Sequence, residues 1–168
     1  MILILGGAKS GKSRFVLELA KKQCKKIAYI ATAPVCDKEM KRRIKLHMRS
    51  RPQNWITIER ERNLLPCLKK IPRVCDGIII ECIGTYISNS MMANLSDSKI
   101  LTNIKLLVKC LKAMDKKIFI VSNEVGSGIV PDSGLGRRFR DIVGTANQII
   151  AKYCDEVYVV IAGLPMRL

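Results

Sequence analysis

The run Ile2-Leu3-Ile4-Leu5-Gly6-Gly7-Ala8-Lys9-Ser10-Gly11-Lys12-Ser13 decides the fold of this 168-residue chain. Four aliphatic residues read as a short buried strand. The next eight match GxxxxGK[ST], and Arg14 to Lys22 (RFVLELAKK) continues as a helix. A glycine-rich loop between a strand and a helix wraps a phosphate with its backbone N–H groups, and the helix N-terminus adds partial positive charge. The candidate nucleotide-binding residues are therefore Gly6, Gly7, Ala8, Lys9, Ser10, Gly11, Lys12 and Ser13. Lys12 is expected to reach the β and γ phosphates of a nucleoside triphosphate. The Ser13 hydroxyl is expected to help hold Mg²⁺.

Outward from this loop, short apolar runs alternate with helical patterns. Strands are expected at Lys26 to Thr32, Ile56 to Glu59, Gly77 to Cys82, Lys117 to Ser122 and Glu156 to Ile161. Helices are expected at Asp37 to about Met48, with Asp37 as N-cap, at Ile100 to Met114 and at Ser133 to Lys152. Asn63 to Lys70 reads as a helical piece interrupted by Pro66. Non-alternating apolar strands separated by helices predict a mostly parallel sheet covered on both faces, an α/β architecture. Ligands of such sheets bind beyond the carboxyl ends of the strands. Glu81 ends the third long strand, where a P-loop protein places its Mg²⁺-side carboxylate. The plainer alternative is an ordinary strand-end acid. Asn123 and Glu124 end the fourth, and either face the same crevice or fix the next loop.

Composition narrows the class. The chain has 48% hydrophobic and 26% charged residues, ordinary for a globular protein. No repeat, linker or composition shift divides it, so residues 1–168 are expected to form a single domain. No apolar stretch approaches the ~20 residues of a membrane helix, and the N-terminus lacks a basic region followed by a long apolar run. A cytoplasmic location without stable membrane insertion is the expectation. The seven cysteines are scattered and never spaced CxxC, and there is one histidine, so a Cys/His zinc site is not expected. Thirty Lys plus Arg against fourteen Asp plus Glu leave a net charge of +16, which attracts anions. Its densest patch runs from Lys41 to Arg51. Aromatic residues are few and no nucleic-acid-binding pattern appears, so nucleic acid is not the expected partner.

The lone histidine, His47, lies on the basic helix. Arg43 and Ile44 precede it by four and three positions, and Arg51 follows by four if the helix continues that far. A neutral imidazole beside arginines is competent to attack phosphorus, giving a phosphoramidate. The plainer reading is a surface histidine.

Several segments together resemble the bifunctional adenosylcobinamide kinase / adenosylcobinamide-phosphate guanylyltransferase family of cobalamin biosynthesis. They are ILILGGAKSGKSRF, YIAT, DKEMKRRIKLHMRSRP with Trp55 and Glu59, IIIECIGTYISN, VSNEVGSGIVP, RRFRDIVGTANQIIA and EVYVVIAGLP. The resemblance implies a three-layer, RecA-like P-loop fold and a homotrimer. It implies a kinase using ATP or GTP on the aminopropanol hydroxyl of adenosylcobinamide. It further implies GMP transfer from GTP to the resulting phosphate through a guanylylated histidine, here His47, with Lys12 as its catalytic partner. Nucleotide contacts would also come from Ala31, Thr32, Ala33, Met48, Arg49, Ser50, Arg51, Glu59 and Glu81, with Ser13 and Glu81 on the Mg²⁺. Leu46 stands where some members carry a second histidine, and Pro34 follows Ala33 in a nucleotide-contacting loop. The rival readings are another P-loop small-molecule kinase, or a basic P-loop NTPase that binds nucleic acid.

Overall fold

A computed structural model describes residues 1–34 and 38–168 and, within its second helix, all side chains except those of Met40 and Arg43. The expected N-cap Asp37 and the side chain of Arg43 lie outside these described residues. The elements follow in the order β1 (Ile2–Gly6), α1 (Lys12–Gln23), β2 (Ile27–Ala31), α2 (Lys38–Arg49), β3 (Ile56–Glu59), α3 (Leu64–Leu68), β4 (Gly77–Glu81), α4 (Ile83–Met92), α5 (Asp97–Lys112), β5 (Lys117–Asn123), α6 (Gly134–Ala151), β6 (Glu156–Ile161) and β7 (Leu164–Arg167).

The strands form one seven-stranded sheet in the order β3-β2-β4-β5-β1-β6-β7. All neighbours are parallel except β6 and β7. Alternate residues of the central strands point to opposite faces, and the core divides accordingly. Leu3, Ala28, Ile30, Ile78, Ile80, Ile118 and Ile120 join the buried cluster under α3 to α6. Ile4, Ile27, Tyr29, Ile79, Phe119 and Val121 join Val16, Leu17 and Ala20 of α1 on the other face. Helices on both sides make three layers, the expected P-loop NTPase-like architecture.

Three elements depart from the sequence expectation. Residues 83–99 carry no clear apolar period, yet α4 and the start of α5 occupy them. Ser and Asn dilute the pattern of α4, but it is capped by Cys82, whose sulfur accepts the Thr85 N–H at 3.3 Å. Ser96 caps α5 in the same way. Pro66 does not interrupt α3. It lies in the first turn, where its missing N–H has no intrahelical partner to lose. Finally, β7 is an exposed edge strand whose Leu-Pro-Met-Arg sequence lacks a strand signal. A two-residue turn with positive φ at Ala162 and Gly163 folds it back on β6.

Among the described residues, no helix is long and apolar enough to cross a membrane.

The turn entering β2 is held from the start of β4. Asp76 accepts the N–H groups of Lys25 and Lys26 with its two carboxylate oxygens, each at 2.8 Å. These backbone donors hold its carboxyl below the usual range. A depressed folded-state pKa stabilises the protein above the unfolded pKa, and that stability is lost as pH falls through the folded value. Asp76→Ala is expected to lower the melting temperature by about 3 °C at neutral pH. In melting curves taken from pH 7 down to pH 2, the variant and the parent should converge at the acid end.

Candidate active site

The carboxyl ends of β1, β2, β3 and β4 and the C-terminal half of α2 surround one cavity of about 870 Å³. The loop after β1 forms its floor. Gly6 is where that loop leaves the sheet. A Cβ there would stand 2.4 Å from Ser10 Oγ and 2.8 Å from the Val160 carbonyl, so no side chain fits. Gly11 takes a φ of 95° at the N-cap of α1, a conformation L side chains rarely adopt. The loop is braced from outside by the β6–β7 turn, where Gly163 N–H donates to the Ser10 carbonyl at 2.8 Å. Ala8 to Ser13 line the cavity, while Gly6 and Gly7 are not among its lining residues. Gly11 has no side chain to cap α1, and the Lys12 N–H donates to Ser10 Oγ at 3.4 Å.

Lys12 Nζ donates to the Gly7 carbonyl at 2.9 Å. Burial lowers its pKa, opposed by the charges of Cys82 and Glu81. The ammonium is thus folded over its own loop, in position to exchange one carbonyl for phosphate oxygens.

Glu81 stands at the centre. It ends β4 in register with Ala31, and Ala31 is in register with Glu59 of β3. The Ser13 hydroxyl donates to Glu81 Oε1, and the Tyr29 hydroxyl donates to Glu81 Oε2. Only 11% of the Glu81 side chain is exposed. Oε1 also lies 3.9 Å from Nδ1 of His47. The histidine's helix therefore leans over the phosphate loop, although the two are 34 positions apart in the chain. Ile44, one turn before His47, and Met48, after it, line the same cavity. Among described α2 residues, Ile44 alone is not exposed.

The helix ends at Arg49, so Arg51 is not one further turn along the His47 face. The chain turns instead, with Arg51 N–H donating to the Met48 carbonyl at 3.2 Å. This throws the Arg51 guanidinium 3.5 Å above the centre of the Tyr29 ring, where Nη1 donates to Thr57 Oγ1 at 3.2 Å. Arg51 lines the cavity. Arg49 and Ser50 do not, and the Ser50 hydroxyl caps the His47 carbonyl at 2.8 Å.

Ala31, Ala33, Pro34 and Glu59 also line the cavity. Thr32 is fully buried and turned away. Its hydroxyl exchanges hydrogen bonds with the Cys82 carbonyl and N–H, both at 2.8 Å, tying the ends of β2 and β4 together. Asn123 reaches the cavity. Glu124 fixes the next loop, accepting the N–H groups of Gly126 at 2.5 Å and Ser127 at 3.0 Å.

Sequence reasoning missed Tyr29, Thr57, Arg60, Glu61, Cys82 and Thr85 among the lining residues. Tyr29 had a usable signal, since alternation puts it on the same face of β2 as Ala31. Thr57 had the same signal, two residues before Glu59 on β3, while Arg60, Glu61, Cys82 and Thr85 depend on how the chain turns after β3 and β4.

The family model for cobinamide kinase / cobinamide phosphate guanyltransferase matches residues 2–168. The chain belongs to that family. It is similar to the bifunctional adenosylcobalamin biosynthesis protein CobP of Pseudomonas aeruginosa, 37% identical over 99% of this chain and 95% of the relative. It is also similar to the bifunctional adenosylcobalamin biosynthesis protein CobU of Salmonella typhimurium, 36% identical over 100% of this chain and 99% of the relative. The Escherichia coli protein of the same name is 34% identical over the same shares of both chains. Family membership therefore covers the phosphate loop, α2 and the end of β4 together.

Lys12→Met keeps the length of the side chain and removes its charge. It is expected to weaken GTP binding about 100-fold, the scale of a lost charge-assisted contact. Equilibrium dialysis with labelled GTP would check this, and unchanged affinity would contradict the placement of phosphates over this loop.

Proposed function

We propose that this chain phosphorylates adenosylcobinamide with ATP or GTP and then transfers GMP from GTP to adenosylcobinamide phosphate, releasing pyrophosphate. The family to which it belongs supports both activities. The observation that carries the second is the meeting of His47 with the Ser13–Glu81 pair in one cavity with the phosphate loop.

The triphosphate lies over Ala8 to Ser13, with the loop N–H groups and Lys12 taking its charge. Nδ1 of His47 faces the Glu81 carboxylate, which leaves Nε2 as the attacking nitrogen. Its lone pair forms the N–P bond to the α-phosphorus, and the bond to the bridging oxygen breaks with its electrons on pyrophosphate. The imidazole gains positive charge, which the nearby carboxylate offsets. An oxygen of the corrinoid phosphate then attacks the same phosphorus, the N–P bond breaks and the imidazole returns neutral. The kinase step instead needs the acceptor hydroxyl aligned with the γ-phosphate.

Ser13 and Glu81 present two adjacent hard oxygen donors at the phosphate end of the cavity. Mg²⁺ binds through one or two such groups plus phosphates and water, so these residues fit it. When bound there, the ion would neutralise developing charge on the phosphate oxygens. We place nucleotide contacts on Ala31, Ala33, Met48, Arg51 and Glu59 as well. The proposal extends to a cytoplasmic homotrimer. The apolar side chains of Ile161, Leu164, Met166 and Leu168, exposed along the β6–β7 edge, support a subunit contact.

The test is incubation with Mg²⁺ and GTP labelled at either the α- or the γ-phosphate, followed by denaturation. Acid-labile label from the α position alone is expected on the parent protein. His47→Ala should lose it by more than about 1000-fold, as for removal of a nucleophile, with GTP affinity retained. No α label on folded, GTP-binding protein would remove His47 as the nucleophile.

A further inference from the structure

Tyr29 occupies a core position whose packing a phenylalanine would satisfy. It is 2% exposed, in the middle of β2, among apolar neighbours of the α1 face. A buried hydroxyl is costly unless it is bonded, so its presence calls for a partner. That partner is Glu81 Oε2. The ring face carries the Arg51 guanidinium at 3.5 Å, a favourable cation–π geometry. One side chain thus meets an anion with its hydroxyl and a cation with its ring. Both groups line the cavity that holds the phosphate loop.

The two charges depend on it in different ways. Glu81 has Ser13 on Oε1 and Tyr29 on Oε2. Without the phenol, Oε2 loses this donor and the Ser13 hydroxyl is left to orient the carboxylate. Arg51 has Thr57 on Nη1, while its Nε is buried with no hydrogen-bond partner among the described residues. The ring therefore supports a guanidinium that lines the cavity, where an anion would meet its positive charge.

We propose that Tyr29 is a positioning residue: its hydroxyl sets the Glu81 carboxylate for the metal-bound phosphates, and its ring sets Arg51 over the nucleotide. The proposal rests on the reading of this cavity as the nucleotide and guanylyl-transfer site. It assigns separable roles to the two parts of the side chain.

Tyr29→Phe removes the hydroxyl and keeps the ring, while Tyr29→Leu removes both. GTP affinity would be measured by calorimetry across a Mg²⁺ titration, alongside single-turnover α-labelling and thermal melting. The Phe variant is expected to bind GTP without Mg²⁺ within about 2-fold of the parent, to need about 10-fold more Mg²⁺ for tight binding, and to label about 10-fold more slowly. The Leu variant should in addition lose about 5-fold in metal-free GTP affinity. A folded Phe variant with parental Mg²⁺ dependence and parental labelling rate would overturn the proposal and leave Tyr29 as core packing. If the Leu variant fails to fold, the Phe variant alone decides. If the parent takes no α label but the Phe variant still shifts the Mg²⁺ dependence, the guanylyl reading fails and the positioning role stands.

Discussion

The carboxylate of Glu81 is the constraint on which the rest of the site depends. It is a charged group with 11% of its side chain exposed, and such a group persists only when hydrogen-bonded or paired. Ser13, Tyr29 and His47 surround it, from the first helix, the second strand and the basic helix. Each comes from a different element of the fold. The sheet makes this possible because parallel strands bring all their carboxyl ends to one edge. Glu81 therefore links the phosphate loop, the histidine and the aromatic platform of Arg51 in one cluster.

The scaffold beneath is apolar and rigid, and polar ties fasten its upper edge. Thr32 locks β2 to β4 through both backbone groups of Cys82. Asn89 of α4 donates to the carbonyls of Thr32 at 2.8 Å and Glu61 at 3.1 Å, fixing the loops after β2 and β3. The β6–β7 turn braces the phosphate loop from behind. By contrast, α2 offers one partly buried described residue, Ile44, to the body of the protein. His47 rides on that helix, half exposed, while the glycine-rich loop after β1 belongs to the fixed floor of the cavity.

The positive charge finds its place in this geometry. Lys9, Lys12, Arg51 and Arg60 line the cavity together with Glu59, Glu61 and Glu81. The cavity is therefore mixed in sign rather than uniformly basic. Such a lining suits a metal–triphosphate complex, whose own charges alternate, better than a polyanion backbone.

The phosphate loop, the central strands and the long helices α1, α5 and α6 were legible because each carries its own local signal. These signals are aliphatic runs, glycines at fixed spacing and helical periodicity. Family resemblance also pointed to His47 before any geometry. What the sequence alone could not carry was the meeting of distant residues. A valine or phenylalanine at position 29 would leave the strand pattern of β2 unchanged, so only the packed sheet shows that the phenol reaches Glu81. The same holds for Arg51, whose position depends on α2 ending at Arg49 and the chain turning toward Thr57. It holds for α4 too, a helix without apolar periodicity that is fixed by burial and by the sulfur of Cys82. Sequence by itself determined the fold class and the phosphate-binding loop, because those rest on local patterning. Tertiary structure decided which charges face one another, because that depends on strand order and on loop turns set by contacts between residues far apart in the chain.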